Sequence, residues 1–231
     1  MRAPVIAVDG TAGSGKSSVC RGVASARGLR YLDTGAMYRA VTWAVLEANA
    51  DPHDADAVAA IADKVVLISG TDPAAPTIHV GDVDVTTAVR GDAVTAAVSA
   101  VSAVPAVRAR LVAVQREVVD AARADAFGVV VEGRDITTVV LPDADLKLFV
   151  TADPAVRAAR RAAQDAEREG EHPDVAVTEA QLRARDAKDS SRDMSPLAQA
   201  ADAVVVDTSH VTLDESIAQV IALVDALAEP S

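Results

Sequence analysis

Cysteine is almost missing from this chain of 231 residues, which contains Cys20 and no other. A single cysteine excludes an intramolecular disulfide and any metal site built from several cysteines. Long hydrophobic runs are missing too, because no stretch reaches the roughly 18 apolar residues that a membrane-spanning helix needs. The first ten residues, MRAPVIAVDG, also lack the basic start and long apolar stretch of a signal peptide. We therefore expect a cytoplasmic protein without a membrane partner.

Positive charge is in short supply as well. The chain has 22 Lys and Arg residues against 34 Asp and Glu residues, which gives a net charge of −12. This acidity argues against a nucleic acid as partner and against binding to an anionic membrane surface. Half of the residues are hydrophobic, so the chain can bury a core and is not expected to be disordered. Its length fits one large domain or one domain with an insertion.

Eighteen of the 22 basic residues are arginine. One interpretation is compositional drift, because the chain is also rich in Ala, Val and Asp. The other is chemical: a guanidinium binds a phosphate with two parallel hydrogen bonds, whereas a lysine ammonium acts as a point charge. Composition alone favours drift, so the positions of the arginines have to decide between the two.

Short apolar segments without clean alternation indicate strands that are covered on both faces. Five segments have this pattern: Pro4–Asp9, Leu29–Asp33, Gly128–Gly133, Leu146–Thr151 and Ala203–Asp207. Helix-length segments lie between or after them: Lys16–Arg27, Ala36–Asn49, Pro105–Ala124, Pro154–Glu169, Glu179–Lys188 and Leu213–Leu227. Strands separated by helices predict an α/β fold with a five-stranded parallel sheet.

Two segments do not fit this alternation. Between Val65 and Val104, short apolar pieces (VVLIS, TIHV and VTTAV) alternate with turn residues, which predicts a small insertion of antiparallel strands. Between Pro154 and Pro196 the helical sequence is rich in charge and is interrupted by EGEHPD, residues 169–174. A lid made of a helical hairpin would have this composition.

Residues Gly10–Ser17 read GTAGSGKS and match the phosphate-binding pattern G-x4-G-K-[ST], the P-loop, at every required position. The glycines let several backbone N–H groups point into one concavity, and the following helix adds the positive end of its dipole. Lys16 is expected to contact the β- and γ-phosphates of ATP, and the Ser17 hydroxyl to coordinate Mg²⁺. The predicted ATP-binding residues of this loop are Gly10, Thr11, Ala12, Gly13, Ser14, Gly15, Lys16, Ser17 and Ser18.

A nucleoside triphosphate site leaves the reaction open. The guanine-reading pattern N-K-x-D of GTPases does not occur in the sequence, and large ATPases and motor domains are usually longer. Small-molecule kinases remain as the main class, and they need a second anion site for the acceptor. The alternative from another class is a nucleotide-binding regulator that transfers no phosphate.

Arginines follow two of the predicted strands, at ends that face the same crevice of a parallel sheet as the P-loop. In LDTGAMYRA, Thr34 and Arg39 are candidates to hold an acceptor phosphate. In EGRDITTVV, Arg134 is a candidate phosphate ligand, and Asp135 could read a donor group of the substrate or help to organise the Mg²⁺ shell. The alternatives are structural: a helix N-cap with a surface arginine, and a strand-ending turn with an Arg–Asp pair.

The predicted lid carries two charged groups at helical spacing. Its first helix has three arginines at i, i+3 and i+4, namely Arg157, Arg160 and Arg161. Its second helix has Arg185, Asp189 and Arg192 at i, i+4 and i+7. Like charges on one helix face repel unless an anion lies against them, and an Asp between two arginines could accept from ribose hydroxyls. A solvated charged face and a surface ion-pair ladder are the alternatives.

Taken together, these motifs resemble the bacterial cytidylate kinases. The resemblance covers nearly the whole chain: the P-loop, DTGAMYRA, PAVRARLVAVQR, EGRDITTVVLPDADLKLFV, RAARR, RARDAKDSSR and AADAVVVDTS. It implies a three-layer P-loop NTPase fold, with an insert that binds the nucleoside monophosphate (NMP) and a helical lid. It also implies transfer of the γ-phosphoryl group of Mg·ATP to CMP or dCMP. A UMP or mixed pyrimidine kinase is the nearest rival, and we expect a monomer.

The resemblance divides the chain into three parts. Residues 1–64, 105–153 and 196–231 would form the P-loop core, with NMP-binding helices at about 34–64. Residues 65–104 would form the β-rich insert, and residues 154–195 would form the lid.

Site residues follow from the resemblance position by position. The cytosine-reading residues are Ser99, Arg108 and Asp135, and the sugar-binding residues are Arg185 and Asp189. The group around the acceptor phosphate is Thr34, Tyr38, Arg39, Arg134 and Arg192. The lid arginines that close over ATP are Arg157, Arg160 and Arg161. The residues expected to act in catalysis are Lys16, Arg39, Arg134, Arg157 and Arg161.

Ser99 and Arg108 are candidates through the resemblance alone, because Arg108 taken by itself reads as part of a solvated helix face. Thr137 stands where the family usually has Gly after G-R-D. Since a β-branched residue disfavours positive φ, the turn after Asp135 is expected to differ slightly.

Overall fold

The computed structural model describes residues 3–169, 174–192 and 195–227. In chain order its elements are β1 (Val5–Gly10), α1 (Lys16–Arg27), β2 (Arg30–Asp33), α2 (Thr34–Glu47), α3 (Ala55–Lys64), β3 (Leu67–Ser69), β4 (Ile78–Val80), β5 (Val83–Asp84), α4 (Asp92–Val101), α5 (Pro105–Ala124), β6 (Val129–Glu132), β7 (Leu146–Thr151), α6 (Pro154–Glu169), α7 (Val175–Ser190), β8 (Val204–Asp207) and α8 (Leu213–Ala226). A 3-10 helix spans Ala88–Arg90 and a π-helical turn spans Ile136–Val140. The predicted break at EGEHPD includes residues 170–173, which lie outside the described residues.

Five parallel strands form the central sheet in the order β2-β6-β1-β7-β8. All five coincide with predicted strands, so the α/β fold with a five-stranded parallel sheet is confirmed. Glu132 pairs in register with Val8 on one side and with Asp33 on the other. The carboxyl ends of β1, β2 and β6 therefore meet at one edge of the sheet, where the P-loop leaves β1.

Both faces of the sheet are covered, because alternate residues of a strand point to opposite sides. In β1, Val5 and Ala7 belong to a core that includes residues of α2 and α5. Ile6 and Val8 belong to a second core, with α1 and α8 on the other face. All four residues are at most 1% exposed. This burial on both faces explains the continuous apolar sequence of the strands and produces a three-layer architecture.

Two predicted helices begin earlier than expected because a side chain caps each of them. Asp33 accepts the backbone N–H of Ala36 at 3.0 Å, so α2 begins two residues earlier than predicted. Asp174 accepts the backbone N–H of Ala176 at 2.8 Å, so α7 begins four residues earlier than predicted. Carboxylates at this position satisfy N–H groups that have no partner within the helix.

The segment 65–104 is only partly built from strands. Strands β3, β4 and β5 form an antiparallel sheet, as predicted. The predicted strand VTTAV (residues 85–89) is wrong, because Asp84 accepts the N–H of Thr86 at 2.8 Å and turns the chain into the 3-10 helix. Helix α4 was not predicted from its Val-rich sequence, although Val94, Val98 and Val101 share one buried face. The division into core, insert and lid stays a prediction.

No single helix among the described residues is long and apolar enough to cross a membrane. The pair formed by α4 and α5 meets the requirement only when the two are joined across a bend of 101°.

The packing of the central sheet makes a testable prediction about stability. Leu148 in β7 is 1% exposed, whereas Leu213 at the start of α8 is 49% exposed. Because Leu148→Ala would leave a cavity in the core, we expect it to lower the free energy of unfolding by about 2–5 kcal/mol. The matched control Leu213→Ala should change it by less than about 0.5 kcal/mol. Urea unfolding followed by circular dichroism measures both, and equal losses would contradict this description of the core.

Candidate active site

The P-loop is built on glycines that no other residue could replace without strain. Gly10 has φ of 155°, and a Cβ there would lie 2.1 Å from the carbonyl oxygen of Val150 on the neighbouring strand. Gly13 and Gly15 have φ of 77° and 78°, in the left-handed region. Gly15 is the N-cap of α1 and provides no side-chain cap. The first N–H groups of α1 therefore have no side-chain cap and are suited to donate to an anion.

Lys16 of the P-loop is held by a carboxylate that sequence reasoning did not single out. Its Nζ donates to Oε2 of Glu132 at 2.6 Å, and both side chains are buried. Tyr31 donates its hydroxyl to the other carboxylate oxygen. Burial alone would raise the pKa of Glu132, but the charge and hydrogen bonds of its partners lower it below its ordinary value. Glu132 is therefore ionised and keeps Lys16 at the mouth of the P-loop.

The position of Glu132 carries a signal that the sequence contains. It is the last residue of an apolar strand adjacent to β1. A charged residue that ends such a strand lies beside the P-loop. Asp33 ends β2, the next strand beyond β6, and pairs in register with Glu132. The residues predicted from EGRD were Arg134 and Asp135, and Glu132 was not among them.

Oxygen ligands suitable for Mg²⁺ lie beside Lys16. Ser17 has its hydroxyl near Glu132, and Asp33 lies close enough that its pKa is raised, first by burial and then by the charge of Glu132. Among the described residues no group of three or more His, Cys, Asp or Glu side chains forms a metal site. These residues fit Mg²⁺ that arrives with a nucleotide, since this ion takes one or two carboxylates and completes its shell with phosphate and water.

Five arginines converge near the ends of β2 and β6. We call Arg39, Arg90, Arg134, Arg161 and Arg185 the arginine cluster. Burial and the charges of Arg185 and Arg90 lower the pKa of Arg39 to about 10, and burial and the charge of Arg134 lower the pKa of Arg185 to about 10. Such mutual repulsion disappears when an anion binds among the guanidinium groups.

Four members of the arginine cluster are predicted site residues, and one is new. Arg90 comes from the 3-10 helix of the 65–104 segment and lies 3.4 Å from Asp33. Sequence reasoning missed it because the preceding VTTAV was expected to be a strand. Arg39 donates to the carbonyl of Val89 at 3.0 Å and to the hydroxyl of Thr95 at 2.9 Å. The same segment therefore fixes Arg39 and adds a further cation beside it.

Asp189 connects the second lid helix to the arginine cluster. It is 3% exposed, and one carboxylate oxygen accepts from Nε of Arg134 at 3.0 Å. The other oxygen accepts from Arg192, three residues further along. The predicted group Arg185, Asp189 and Arg192 is therefore part of a buried network and is not a surface ladder.

Arg108 and Asp135 form a buried ion pair, with exposures of 4% and 3%. The Arg108 guanidinium also lies over the ring of Tyr38, 5.4 Å from its centre, and donates to the carbonyl of Ser102 at 3.3 Å. The expectation from sequence pattern that Arg108 belongs to a solvated helix face is therefore wrong. Its Nε is buried and has no hydrogen-bond partner among the described residues. A ligand with an acceptor atom at this point would satisfy that donor.

Two predicted acceptor-site residues are placed differently from the expectation. Thr34 is 2% exposed and donates its hydroxyl to the carbonyl of Glu132 at 2.7 Å. Because a hydroxyl has one proton, Thr34 can donate to a phosphate only by giving up this bond. Ser99 lies half-buried on α4, and its carbonyl accepts from Ser102 at 3.3 Å. No hydrogen bond joins the Ser99 hydroxyl to Arg108 or Asp135 in the described part of the chain.

Helices α6 and α7 contact the P-loop directly through Arg157 and Asp186. Arg157 donates to the carbonyl of Ala12 at 3.1 Å and to one oxygen of Asp186. The other oxygen of Asp186 accepts the N–H of Ala12 at 3.2 Å. Arg157 is 6% exposed, and its Nε has no partner among the residues that the structure describes. A phosphate in the P-loop would supply an acceptor for that donor.

The three arginines predicted to close over ATP have three different sets of contacts. Arg157 contacts the P-loop, as described. Arg160 donates to the hydroxyl and carbonyl oxygens of Thr208, at 2.8 and 2.7 Å, and the same hydroxyl donates to the carbonyl of Ser14 at 2.8 Å. Arg161 pairs with Asp165 at 3.0 Å and belongs to the arginine cluster. The three arginines therefore do not contact one common partner. Arg157 contacts the P-loop, Arg160 contacts Thr208, which in turn contacts the P-loop, and Arg161 belongs to the arginine cluster.

The contact between lid and P-loop makes a prediction about nucleotide binding. Asp186 holds Arg157 over the loop while the Arg157 Nε stays available, so Asp186→Asn should weaken ATP binding about three- to tenfold. The matched control is Glu179→Gln, which removes an exposed pair with Arg183 on the same helix and should leave ATP binding unchanged. Isothermal titration with Mg·ATP measures both, and equal or tighter binding by Asp186→Asn would contradict the role given to it.

Comparison with known proteins agrees with this geometry. The family model for cytidylate kinase matches residues 6–226. Cytidylate kinases of Streptomyces avermitilis and Nocardia farcinica are 52% and 53% identical, over 96% and 92% of this chain and 93% and 90% of their own lengths. An uncharacterised protein from Eubacterium ventriosum, 13% identical, has a similar fold, with a TM-score of 0.51 over 96% of this chain and 99% of its own. The chain therefore belongs to the cytidylate kinase family.

Proposed function

We propose that the chain transfers the γ-phosphoryl group of ATP to CMP or dCMP, giving ADP and CDP or dCDP. Membership of the cytidylate kinase family supports the reaction and the acceptor. The observation that carries the proposal is the arginine cluster, which lies at the same edge of the sheet as the P-loop and in which neighbouring guanidinium groups lower the pKa of Arg39 and Arg185. A kinase that brings two phosphate groups together needs both of these anion sites.

Catalysis by this site consists of positioning and charge neutralisation. Lys16 supplies a cation to the β- and γ-phosphates, and Glu132 keeps it in place. Arg39 and Arg134 aim the acceptor phosphate so that its oxygen lies in line with the transferred group. No strong general base is required, because a phosphate dianion is already a competent nucleophile.

Magnesium would enter this site as part of the Mg·ATP complex. The ion supplies electrostatic neutralisation of the phosphates and helps to align them. The Ser17 hydroxyl, with the carboxylates of Asp33 and Glu132 close by, is the oxygen set that would hold it. We propose Mg²⁺ as the cofactor on that basis.

Base selection is assigned to the buried pair Arg108 and Asp135. The edge of cytosine has an exocyclic amino group that donates, and a ring nitrogen and a carbonyl oxygen that accept. Asp135 can accept from the amino group, and the free Nε of Arg108 can donate. Tyr38 adds a ring surface beside them. A base without the amino donor would lose this hydrogen bond to Asp135, which disfavours it relative to cytosine.

The lid excludes water and completes the donor set around ATP. Arg157 and Asp186 already bring α6 and α7 against the P-loop, and Ala12, Ala158 and Leu182 form a small apolar contact there. Exclusion of water favours transfer to the acceptor over hydrolysis of ATP. We further propose that the enzyme works as a cytoplasmic monomer without a nucleic-acid or membrane partner, in keeping with its net charge of −12.

The direct test is ADP formation from Mg·ATP, coupled to NADH oxidation, with CMP, dCMP, UMP, AMP, GMP or no acceptor. We expect strong activity with CMP and dCMP, weak activity with UMP, and background rates otherwise. Lys16→Ala should lower kcat about a thousandfold, because it removes a cation from the transferred phosphate. The control Lys64→Ala changes an exposed lysine on α3 and should leave kcat unchanged.

Two outcomes would replace the proposal with a rival. UMP turnover equal to that of CMP would make the protein a mixed pyrimidine kinase. ATP binding without ADP formation for any acceptor would indicate a nucleotide-binding regulator.

A further inference from the structure

The π-helical turn after β6 is capped by a residue from another strand. Asp135 is the N-cap residue of this turn, yet its side chain makes no capping hydrogen bond. The first two N–H groups of the turn, those of Ile136 and Thr137, donate instead to Asp9 of β1, each at 2.8 Å. The hydroxyl of Thr137 donates to the same carboxylate at 2.6 Å. Three donors from two adjacent residues therefore converge on Asp9.

The complete burial of the Asp9 carboxylate is unusual for an acidic side chain. Asp9 is 0% exposed, and no cation forms an ion pair with it among the described residues. Burial raises its pKa, while the hydrogen bonds from Thr137 and Ile136 act in the opposite direction. A buried carboxylate in this situation depends on its hydrogen-bond donors, so each of the three donors contributes to the position of the turn.

The capping by Asp9 has a consequence for Asp135. A side chain that caps its own helix is committed to backbone N–H groups, whereas the carboxylate of Asp135 is committed to Arg108. Asp9 thus takes over the capping task and leaves Asp135 to pair with Arg108, the pair to which base recognition is assigned. Asp9 also precedes Gly10 directly, so one carboxylate anchors both the start of the P-loop and the turn that carries the base reader.

Thr137 turns out to strengthen this arrangement. The resemblance led us to expect an altered turn, because Thr stands at a position where the family usually has Gly. In the structure Thr137 is not among the residues with positive φ, so its side chain causes no backbone strain there. Its hydroxyl adds a hydrogen bond that glycine could not make. Thr137 is 2% exposed, so its side chain is buried inside the protein.

We propose that Asp9 and Thr137 are positioning residues for base recognition: they cap the turn after β6 in place of Asp135 and so hold the Asp135 carboxylate against Arg108 and the acceptor base. This inference rests on the proposed cytidylate kinase function and deepens it. It adds two residues that determine acceptor affinity without touching the acceptor.

The test compares two substitutions of nearly the same size at position 137. Thr137→Val keeps the shape and removes the hydroxyl, whereas Thr137→Ser keeps the hydroxyl and removes a methyl group. We expect Thr137→Val to raise KM for CMP about three- to tenfold, with KM for ATP and kcat changed less than twofold. Thr137→Ser should stay within twofold of the wild type for all three. If Thr137→Val fails to fold, Thr137→Ala serves as the variant without the hydroxyl.

A double-mutant cycle separates positioning from general loss of structure. In an Asp135→Asn background, Thr137→Val should add less than twofold to KM for CMP, because the residue it positions is already changed. Full additivity would overturn the inference, as would equal increases in KM for CMP and ATP, equal effects of Val and Ser, or no effect of Val. Wild-type enzyme without CMP-dependent turnover would instead contradict the proposed function itself.

Discussion

Electrostatic repulsion among closely spaced guanidinium groups is the constraint on which the rest of this site depends. The chain carries a net charge of −12, yet it concentrates cations where β2 and β6 end. Burial and neighbouring cations lower the pKa of both Arg39 and Arg185 to about 10. The fold tolerates this because carboxylates such as Asp189 bridge some of the arginines. We propose that a bound acceptor phosphate relieves the remaining repulsion, and that this relief contributes to its affinity.

The central sheet makes this concentration possible. Strands β2, β6 and β1 are neighbours and end at one edge of the sheet. The P-loop follows β1, Asp33 ends β2, and Glu132 ends β6 and is followed by Arg134 and Asp135. Glu132 and Lys16 form a buried pair at the centre of this edge. Helices α6 and α7 add further cations and the Asp186 contact to the P-loop. The two proposed anion sites therefore lie at the same edge of the sheet.

Much of this arrangement could be predicted from the sequence. The P-loop pattern and the five apolar strands are local features, and strand direction alone places Arg39 and Arg134 at one edge. The helix boundaries that differed depend on single caps, Asp33 and Asp174, whose effect is local but easily overlooked.

What escaped prediction depends on contacts between distant parts of the chain. Glu132 meets Lys16 across 116 residues of sequence, and Asp186 meets Ala12 across 174. Arg108 looked solvated because helix periodicity does not reveal a buried carboxylate partner, here Asp135. Arg90 was missed because the strand predicted before it is a turn and a 3-10 helix, and only that turn brings Arg90 to Asp33.

The role of the phosphate in completing the arginine cluster is tested most directly by comparing CMP with cytidine in isothermal titration, without ATP and at fixed salt. The two ligands share base and sugar and differ only in the group that the cluster is expected to bind. We expect cytidine to bind at least about a hundredfold more weakly than CMP. Cytidine binding within threefold of CMP would contradict the view that the cluster is built around an acceptor phosphate.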